Sequence, residues 1–175
     1  MTRYKFCPSC GGNLTTKMRE HRQRLVCNKC DGILYINSKP CVAVLVEKEG
    51  RLMLTRRGIE PFRGWWDLPG GFLEDGEHPQ EGARREIREE TGLEVQITRL
   101  MGIHVDTYGD TGVSTLNFHY LAEAIGGSES PKSDVDMIRW FLPGELPREM
   151  AFENCRIAVD RWKNLKLTNQ IAGVM

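Results

Sequence analysis

No stretch of this sequence stays apolar for long. Its longest apolar run, Cys41 to Val46, is far shorter than the roughly 20 residues needed to cross a bilayer, so no membrane span is expected. The residues from Met1 to Phe6 lack the apolar centre of a secretory signal. A cytoplasmic location is therefore the expectation, in a compartment where thiols stay reduced. The chain also lacks an excess of charge of either sign, because 24 Lys and Arg balance 24 Asp and Glu. That balance supplies no general attraction to nucleic acid or to an anionic membrane, and neither is an expected partner. A neutral total can still hide a local basic patch. Internal repeats and low-complexity tracts are absent too, which leaves 175 residues for one main domain and a small accessory module. A main body of roughly 130 residues buries about two thirds of its unfolded surface, enough to fold without disulfides or an oligomer.

Six cysteines in a reducing compartment need another explanation than disulfides. Four of them form Cys7-Pro8-Ser9-Cys10 and Cys27-Asn28-Lys29-Cys30, with sixteen residues between the pairs. Two Cys-x-x-Cys turns at this spacing match a tetrahedral four-thiolate Zn²⁺ site, with Cys7, Cys10, Cys27 and Cys30 as ligands. A module of residues 1–37 is too small to hold itself together by apolar burial, so the metal would supply its folding energy. A thioredoxin-type redox pair is the rival reading, but it needs one Cys-x-x-Cys opening a helix. A catalytic zinc is disfavoured, since four thiolates leave no open position for water. Cys41 and Cys155 sit in apolar surroundings and read as buried small hydrophobes.

From Ser38 the composition changes, and residues 38–175 read as the second and larger domain. The run Cys41 to Val46 predicts a buried strand, and Arg51 to Thr55 a return strand after the turn Glu47-Lys48-Glu49-Gly50. Further strands are predicted near Val95 to Met101, Thr115 to Ala124 and Met137 to Phe141. A closing amphipathic helix is predicted over Phe152 to Leu165, with Ile157, Trp162 and Leu165 on its apolar side. Strands mixed with two helices point to an α/β chain, a helix–sheet–helix sandwich.

The most informative stretch runs from Gly70 to Leu93. Pro79 suits a first helical turn and Gly92 the left-handed residue past a helix end. Between them Glu86, Glu89 and Glu90 stand at i, i+3 and i+4 and share one face, while Ala83 and Ile87 mark the neighbouring apolar face. Three crowded carboxylates repel one another unless a cation compensates, and hard oxygen ligands select Mg²⁺ or Mn²⁺. Such ions bridge phosphate oxygens and activate water. The bland alternative is a solvated helix laced by pairs with Arg84, Arg85 and Arg88.

The full spacing goes further. Gly71, five residues, Glu77, seven residues and then Arg85-Glu86-Ile87-Arg88-Glu89-Glu90-Thr91-Gly92-Leu93 resembles the Nudix box at every fixed position. The resemblance covers roughly residues 38–165 and implies a Nudix α/β/α sandwich with a mixed sheet, preceded here by the small zinc ribbon. It also implies pyrophosphohydrolase activity on nucleoside diphosphates linked to a variable group. Carried over, Glu86, Glu89 and Glu90 are the divalent-metal ligands, and Gly71 lends a backbone carbonyl. Arg85 and Glu77 orient the catalytic helix and loop. Family members are often dimers, so a homodimer is an implied assembly. A four-cysteine ribbon before such a domain resembles the branch of NADH, FAD and ADP-ribose pyrophosphatases. The Ser-Gln-Pro-Trp-Pro-Phe-Pro segment of NADH pyrophosphatases has no counterpart in Met101 to Tyr108, which contains no proline. The segment Glu145 to Phe152 resembles the FAD-type relatives instead. FAD, ADP-ribose or a related dinucleotide, releasing AMP, is the implied substrate class.

Other residues carry softer expectations. Phe62 and Trp65 could stack on adenine or flavin, while Trp66 or Leu68 could simply plug the core beneath the loop. Arg56 and Arg57 could reach phosphate or sit on a plain surface. Asp134 and Asp136 could supply a base or a ligand, or only a strand-entry turn. His21, His78, His104 and His119 show no mutual metal spacing. Rival functions are removal of an RNA 5′ cap, hydrolysis of nucleoside triphosphates, and a nucleotide-sensing module without catalysis. The intact Glu86, Glu89 and Glu90 disfavour the last of these.

Overall fold

A computed structural model describes residues 4–172 of the chain, with side chains described to residue 168. The chain divides into two compact units, Met1–Asn37 and Ser38–Met175. In the first, β1 (Leu14–Arg19) and β2 (Arg22–Cys27) form an antiparallel hairpin, and β3 (Ile33–Leu34) adds to β2. The two Cys-x-x-Cys turns are built alike. The N–H of Cys7 donates to the Gly12 carbonyl at 2.8 Å and that of Cys27 to the Gly32 carbonyl at 2.9 Å. Each turn also closes on its own first cysteine, Gly11 N–H on Cys7 and Asp31 N–H on Cys27.

The second unit contains β4 (Lys39–Lys48), β5 (Arg51–Arg57), β6 (Trp66–Asp67), β7 (Gly70–Phe72), α1 (Pro79–Thr91), β8 (Leu93–Thr107), β9 (Ser114–Gly127), β10 (Val135–Phe141) and α2 (Glu153–Ala172). The main path of its sheet runs β10-β5-β4-β9-β8, with β6 paired to β5 and β7 to β4. The β4–β9 pairing is parallel and the others are antiparallel, so the sheet is mixed.

The uninterrupted apolar run in β4 is explained by burial on both faces. Ala43 and Leu45 join Leu52, Leu54 and Trp162 on the α2 side, and Val42, Val44 and Val46 join Met53, Ala83 and Ile87 on the α1 side. The sheet is thus the middle of three layers. Strands β8 and β9 extend well past their predicted ends, and α2 past Leu165. One expectation fails in α2. Ile157 is exposed, and the buried stripe is Cys155, Ala158, Val159 and Trp162, a spacing of i, i+3, i+4 and i+7.

One departure from a simple sheet positions the site. β4 and β5 pair directly only at Glu47–Leu52 and Lys48–Arg51. Beyond that they part, β5 taking β6 as partner and β4 taking β7. A cleft opens where they separate.

Candidate active site

The glutamate helix begins and ends on specific backbone signals. The His78 side chain accepts a hydrogen bond from the Gln80 N–H, Pro79 opens the first turn, and Gly92 adopts φ 72° as the left-handed residue that closes the helix. Ala83 and Ile87 are fully buried against the sheet. That anchoring turns Glu86 and Glu90 toward the cleft and leaves Glu89 exposed.

Arg85 organises this end of the helix. Its Nε and Nη2 donate to the two carboxylate oxygens of Glu77 at 2.8 and 2.9 Å. Its Nη1 reaches Glu86 at 2.8 Å and Glu89 at 3.1 Å, and Nη2 also donates to the Phe72 carbonyl at 3.1 Å. The Arg85 hydrogen bonds hold the Glu77 carboxyl down at about 2, helped by the Glu74 N–H. The guanidinium therefore ties the loop at Phe72 and Glu77 to the helix. It does not line the cleft.

Glu90 is 8% exposed and accepts the Gly70 N–H at 3.0 Å. Burial pushes its carboxyl up to about 8, opposed by that hydrogen bond and reinforced by Glu86, Asp67 and Asp134. Burial likewise raises the Glu86 carboxyl, with the Arg85 hydrogen bond opposing. Glycines let the β7 backbone come close. A side chain at Gly70 would meet the Val42 carbonyl oxygen at 2.1 Å, and one at Gly71 the Glu86 Oε1 at 2.5 Å. Glu86 and Glu90, beside an open backbone segment, supply hard oxygen donors of the kind a divalent cation takes.

Glu86, Glu90, Gly70 and Gly71 line a cavity of about 300 Å³. The same cavity is lined by an aromatic cluster of Phe72, Tyr108 and Phe152. Tyr108 stacks on Phe152 with ring centroids 5.6 Å apart and planes at 19°, and Phe72 lies 5.6 Å from Tyr108. Asn117 and Asn154 add amide groups to the wall. Asn154 is fixed by Asp106, which accepts both its side-chain N–H at 2.6 Å and its backbone N–H at 3.2 Å. Asp106 thereby ties the first turn of α2 to β8 and brings Phe152 to the cavity.

Two family models match the sequence. The NUDIX domain covers residues 38–161, and the Nudix N-terminal zinc ribbon covers residues 5–36. The chain belongs to the Nudix hydrolase family. It is 34% identical over 133 residues to an ADP-ribose pyrophosphatase of Methanocaldococcus jannaschii, covering 75% of this chain and 78% of the relative. It is 28% identical to the NAD-capped RNA hydrolase NudC of Vibrio atlanticus over 82% of this chain and 51% of the relative. The chain thus spans about half the length of the NudC relatives it matches. Among solved structures, a NUDIX hydrolase from Nitrosomonas europaea superposes with a TM-score of 0.82 at 30% identity, covering 92% of this chain and 91% of that one.

Within this Nudix unit the structure sorts the softer sequence candidates. Arg57 lines the cavity but is engaged on every side. It donates to the Pro61 carbonyl at 2.7 Å, to Asp67 at 3.3 Å and to the Tyr108 hydroxyl at 3.4 Å, and its guanidinium lies over Phe152. Its fork is thus spent on the aromatic wall. Arg56 pairs with Asp136 at 2.7 Å outside the cavity, because successive residues of a strand face opposite ways. Phe62 and Trp65 do not line the cavity either. Phe62 packs edge-on against Phe152 at 5.2 Å, with Trp65 beside it, so the pair backs the wall. Trp66 packs on the core and Leu68 is buried, so both plug the loop. Asp134 lines the cavity just before β10, and Asp136 does not.

Several residues escaped the sequence reading. Tyr108 and Phe152 lie 44 positions apart, and nothing local marks them as partners. Asp67, buried in the cavity wall, has its carboxyl raised to about 6 by burial, with Arg57 opposing. His104 and His119, read as unrelated, meet across β8 and β9 with Nδ1 atoms 3.1 Å apart. His119 is fully buried, and burial followed by His104 lowers it to about 4. The pairing of Gly102 with His119 and His104 with Asn117 makes this meeting visible, and only the fold supplies it.

In the ribbon, Cys7, Cys10, Cys27 and Cys30 place their sulfur atoms within 4.8 Å of one another. Cys7 Sγ lies 3.9 Å from Cys30 Sγ, and Cys10 Sγ 3.5 Å from Cys27 Sγ. A tetrahedral ion with Zn–S near 2.3 Å requires sulfur separations of about 3.8 Å. Backbone N–H groups of Cys30 and Lys29 lower the Cys27 thiol, while the neighbouring Cys27 and Cys30 raise that of Cys10, so these thiols titrate as one crowded set. The arrangement fits zinc. Glu86, Glu89 and Glu90 do not form such a cluster. Among the described residues the four cysteines are the group of three or more that converges.

Proposed function

We propose that this Nudix hydrolase cleaves the diphosphate of a nucleoside diphosphate joined to a second group, with FAD or ADP-ribose as substrate and AMP as one product. The observation that carries this reading is the mixed lining of one cavity, which brings the carboxylates of Glu86 and Glu90 and the Gly70–Gly71 backbone together with the aromatic rings of Phe72, Tyr108 and Phe152. A diphosphate flanked by a planar base has the same two-part character. The ADP-ribose pyrophosphatase named above is a further support.

In this reading Glu86, Glu89 and Glu90 hold Mg²⁺ or Mn²⁺, with Gly71 lending its backbone carbonyl. Bound divalent ions supply charge neutralisation on the diphosphate and activation of water. Glu77 and Arg85 fix the helix against the β7 loop, so that the carboxylates present a constant geometry. Arg85 acts as a positioning residue, since its donors are all used on protein oxygens. Phe72, Tyr108 and Phe152 form a face for a nucleobase or flavin, where stacking on an aromatic contributes about 1–3 kcal/mol. One P–O bond of the anhydride breaks and one water is added. The products are two phosphomonoesters, AMP with FMN or AMP with ribose 5-phosphate. The zinc held by Cys7, Cys10, Cys27 and Cys30 takes no part in bond cleavage.

A comparison of kcat/KM across FAD, ADP-ribose, NADH and the common triphosphates tests this, with products identified by chromatography. A dinucleotide should lead. A hundredfold preference for a triphosphate, about 2.7 kcal/mol of transition-state discrimination, would overturn the dinucleotide reading and leave the hydrolase class standing.

The NudC relatives favour a second reading, in which the dinucleotide caps an RNA. An RNA bearing a 5′ dinucleotide presents the same internal diphosphate. Residues Met101 to Thr107, the region lacking the prolines of NADH pyrophosphatases, are here the continuous second half of β8. Capped and uncapped transcripts belong in the same assay, and faster turnover of capped RNA than of the free dinucleotide would favour this alternative.

A further inference from the structure

The neutral total conceals a separation of charge between the two units. Residues 1–37 carry seven Lys and Arg against two Asp and Glu, and residues 38–175 carry seventeen against twenty-two. The ribbon segment is therefore +5 and the rest of the chain −5. Four thiolates around one divalent ion would take two charges from the ribbon and leave it clearly basic.

Strand register concentrates that charge. In the β1–β2 hairpin Lys17 stands directly opposite Arg24, and Arg19 opposite Arg22. Residues two apart on a strand point the same way, so all four cations share one face of the hairpin, spaced roughly 6.6 Å along each strand. Like charges directly opposite destabilise an antiparallel pair. The hairpin contains this cost twice. Arg19 is partly relieved by Asp31 at 3.3 Å, but both side chains are solvent-exposed and the pair is weak. Among the described residues Lys17, Arg22 and Arg24 make no ion pair. Arg24 instead lies over the ring of Tyr35, 5.0 Å from its centroid, and Tyr35 is about half exposed. Unpaired cations in rows beside a half-exposed aromatic ring match the chemistry of single-stranded polynucleotide binding, where phosphates meet Lys and Arg and bases stack on rings.

We propose that the hairpin face bearing Lys17, Arg19, Arg22 and Arg24, with Tyr35, is a binding surface for single-stranded nucleic acid. The proposal is independent of the catalytic reading and removes the argument against nucleic acid that the neutral total had supplied.

The test uses the full chain without added Mg²⁺ and a fluorescent oligouridylate of about twenty nucleotides that carries no phosphoanhydride. Four phosphate contacts on a single strand predict a slope of log K against log salt near −2.8, a loss of affinity of about 50-fold between 50 and 200 mM salt. Arg22→Glu removes one cation and opposes another, so its slope should fall to about −1.4. The same substitution pairs opposite charges across the hairpin, so zinc should be retained to higher temperature. Weaker RNA binding with a sturdier ribbon is a combination that a purely structural Arg22 would not produce. Arg22→Gln should lie between, near −2.1, and carries the test if the charge reversal disturbs folding. Hydrolysis of ADP-ribose should be the same in all three proteins, so a failure of the catalytic reading shows separately. Affinity and salt slope equal to the parent in both variants would overturn the proposal. So would binding to phosphatidylserine vesicles with no binding to the oligonucleotide.

Discussion

In the ribbon, four thiols converge to within 4.8 Å on two turns whose backbone hydrogen bonds match one for one. On α1, Arg85 holds Glu86 and Glu89 while Glu90 is held by the Gly70 N–H. Both regions offer anionic ligands, yet one closes around a point and the other lines the rim of a cavity. The contrast follows from ligand chemistry and from the task that the proposed function gives each region. A closed four-thiolate cage leaves no position for substrate and stabilises a segment too small for its own core. A carboxylate rim with a protein counter-ion can take up and release a hard cation together with a phosphate-bearing molecule.

The largest expected effect separates the two regions outright. Cys10→Ser should abolish zinc retention and unfold the ribbon, since structural zinc in comparable small modules contributes about 10–16 kcal/mol of apparent binding free energy. Turnover of ADP-ribose should persist in that variant. Elemental analysis with a steady-state assay checks both, and loss of turnover in step with zinc would erase the division of labour.

The converse substitution comes next. Glu90→Gln keeps the shape and removes a negative ligand, so kcat should drop by about a thousandfold or more, roughly 4 kcal/mol. Zinc content and fold should be unchanged. Near-parental turnover at saturating Mg²⁺ would contradict the role given to the helix.

A third effect distinguishes the buried interior of the Nudix unit. His119 is lowered to about 4 by burial and by His104. A group whose folded pKa lies below its unfolded value of about 6.5 stabilises the fold above 6.5. That contribution is lost as pH falls from about 6.5 toward 4, and amounts to about 3 kcal/mol at most. Asp67, raised to about 6, acts in the opposite sense over part of this window. The informative quantity is therefore the difference between His119→Gln and the parent, followed by denaturant unfolding at several pH values. The variant should lose the His119 part of the acid sensitivity, and identical slopes would contradict the assignment. Smallest is Arg85→Lys, which keeps charge but cannot bridge Glu77, Glu86 and Phe72 together. A 10- to 100-fold loss of kcat, the usual scale for residues that orient metal ligands, is expected in steady-state assays, with KM little changed.

Local chemistry was readable in the sequence, and long-range meetings were not. Pro79 and Gly92 bound α1 because caps depend on neighbours in the chain. The run from Cys41 to Val46 announced a strand buried on both faces because alternation was missing. The cysteines gave their spacing directly. The aromatic wall was missed because Tyr108 and Phe152 come from the end of β8 and the start of α2, joined through Asp106 and Asn154. Phe62 and Trp65 were stacking candidates because they lie in the loop entering Gly70, and in space they stand behind Phe152. Ile157 was placed on the wrong side of α2 because a helix so short of strong apolar contrast leaves its buried face ambiguous until the sheet selects Cys155, Ala158, Val159 and Trp162. The basic hairpin was present in the residue counts, but the balanced total hid it until the register put Lys17 opposite Arg24.

In the proposed reading two metals of different kinds serve two regions, one fixed and structural, one exchangeable and catalytic. Protein freed of loosely held ions by gel filtration, without chelator, can be assayed for ADP-ribose hydrolysis and for zinc in the same sample. One zinc per chain throughout, negligible turnover before addition of Mg²⁺ or Mn²⁺, and full turnover after it are the expected results. Turnover that is present without added ions and scales with zinc content would contradict that reading.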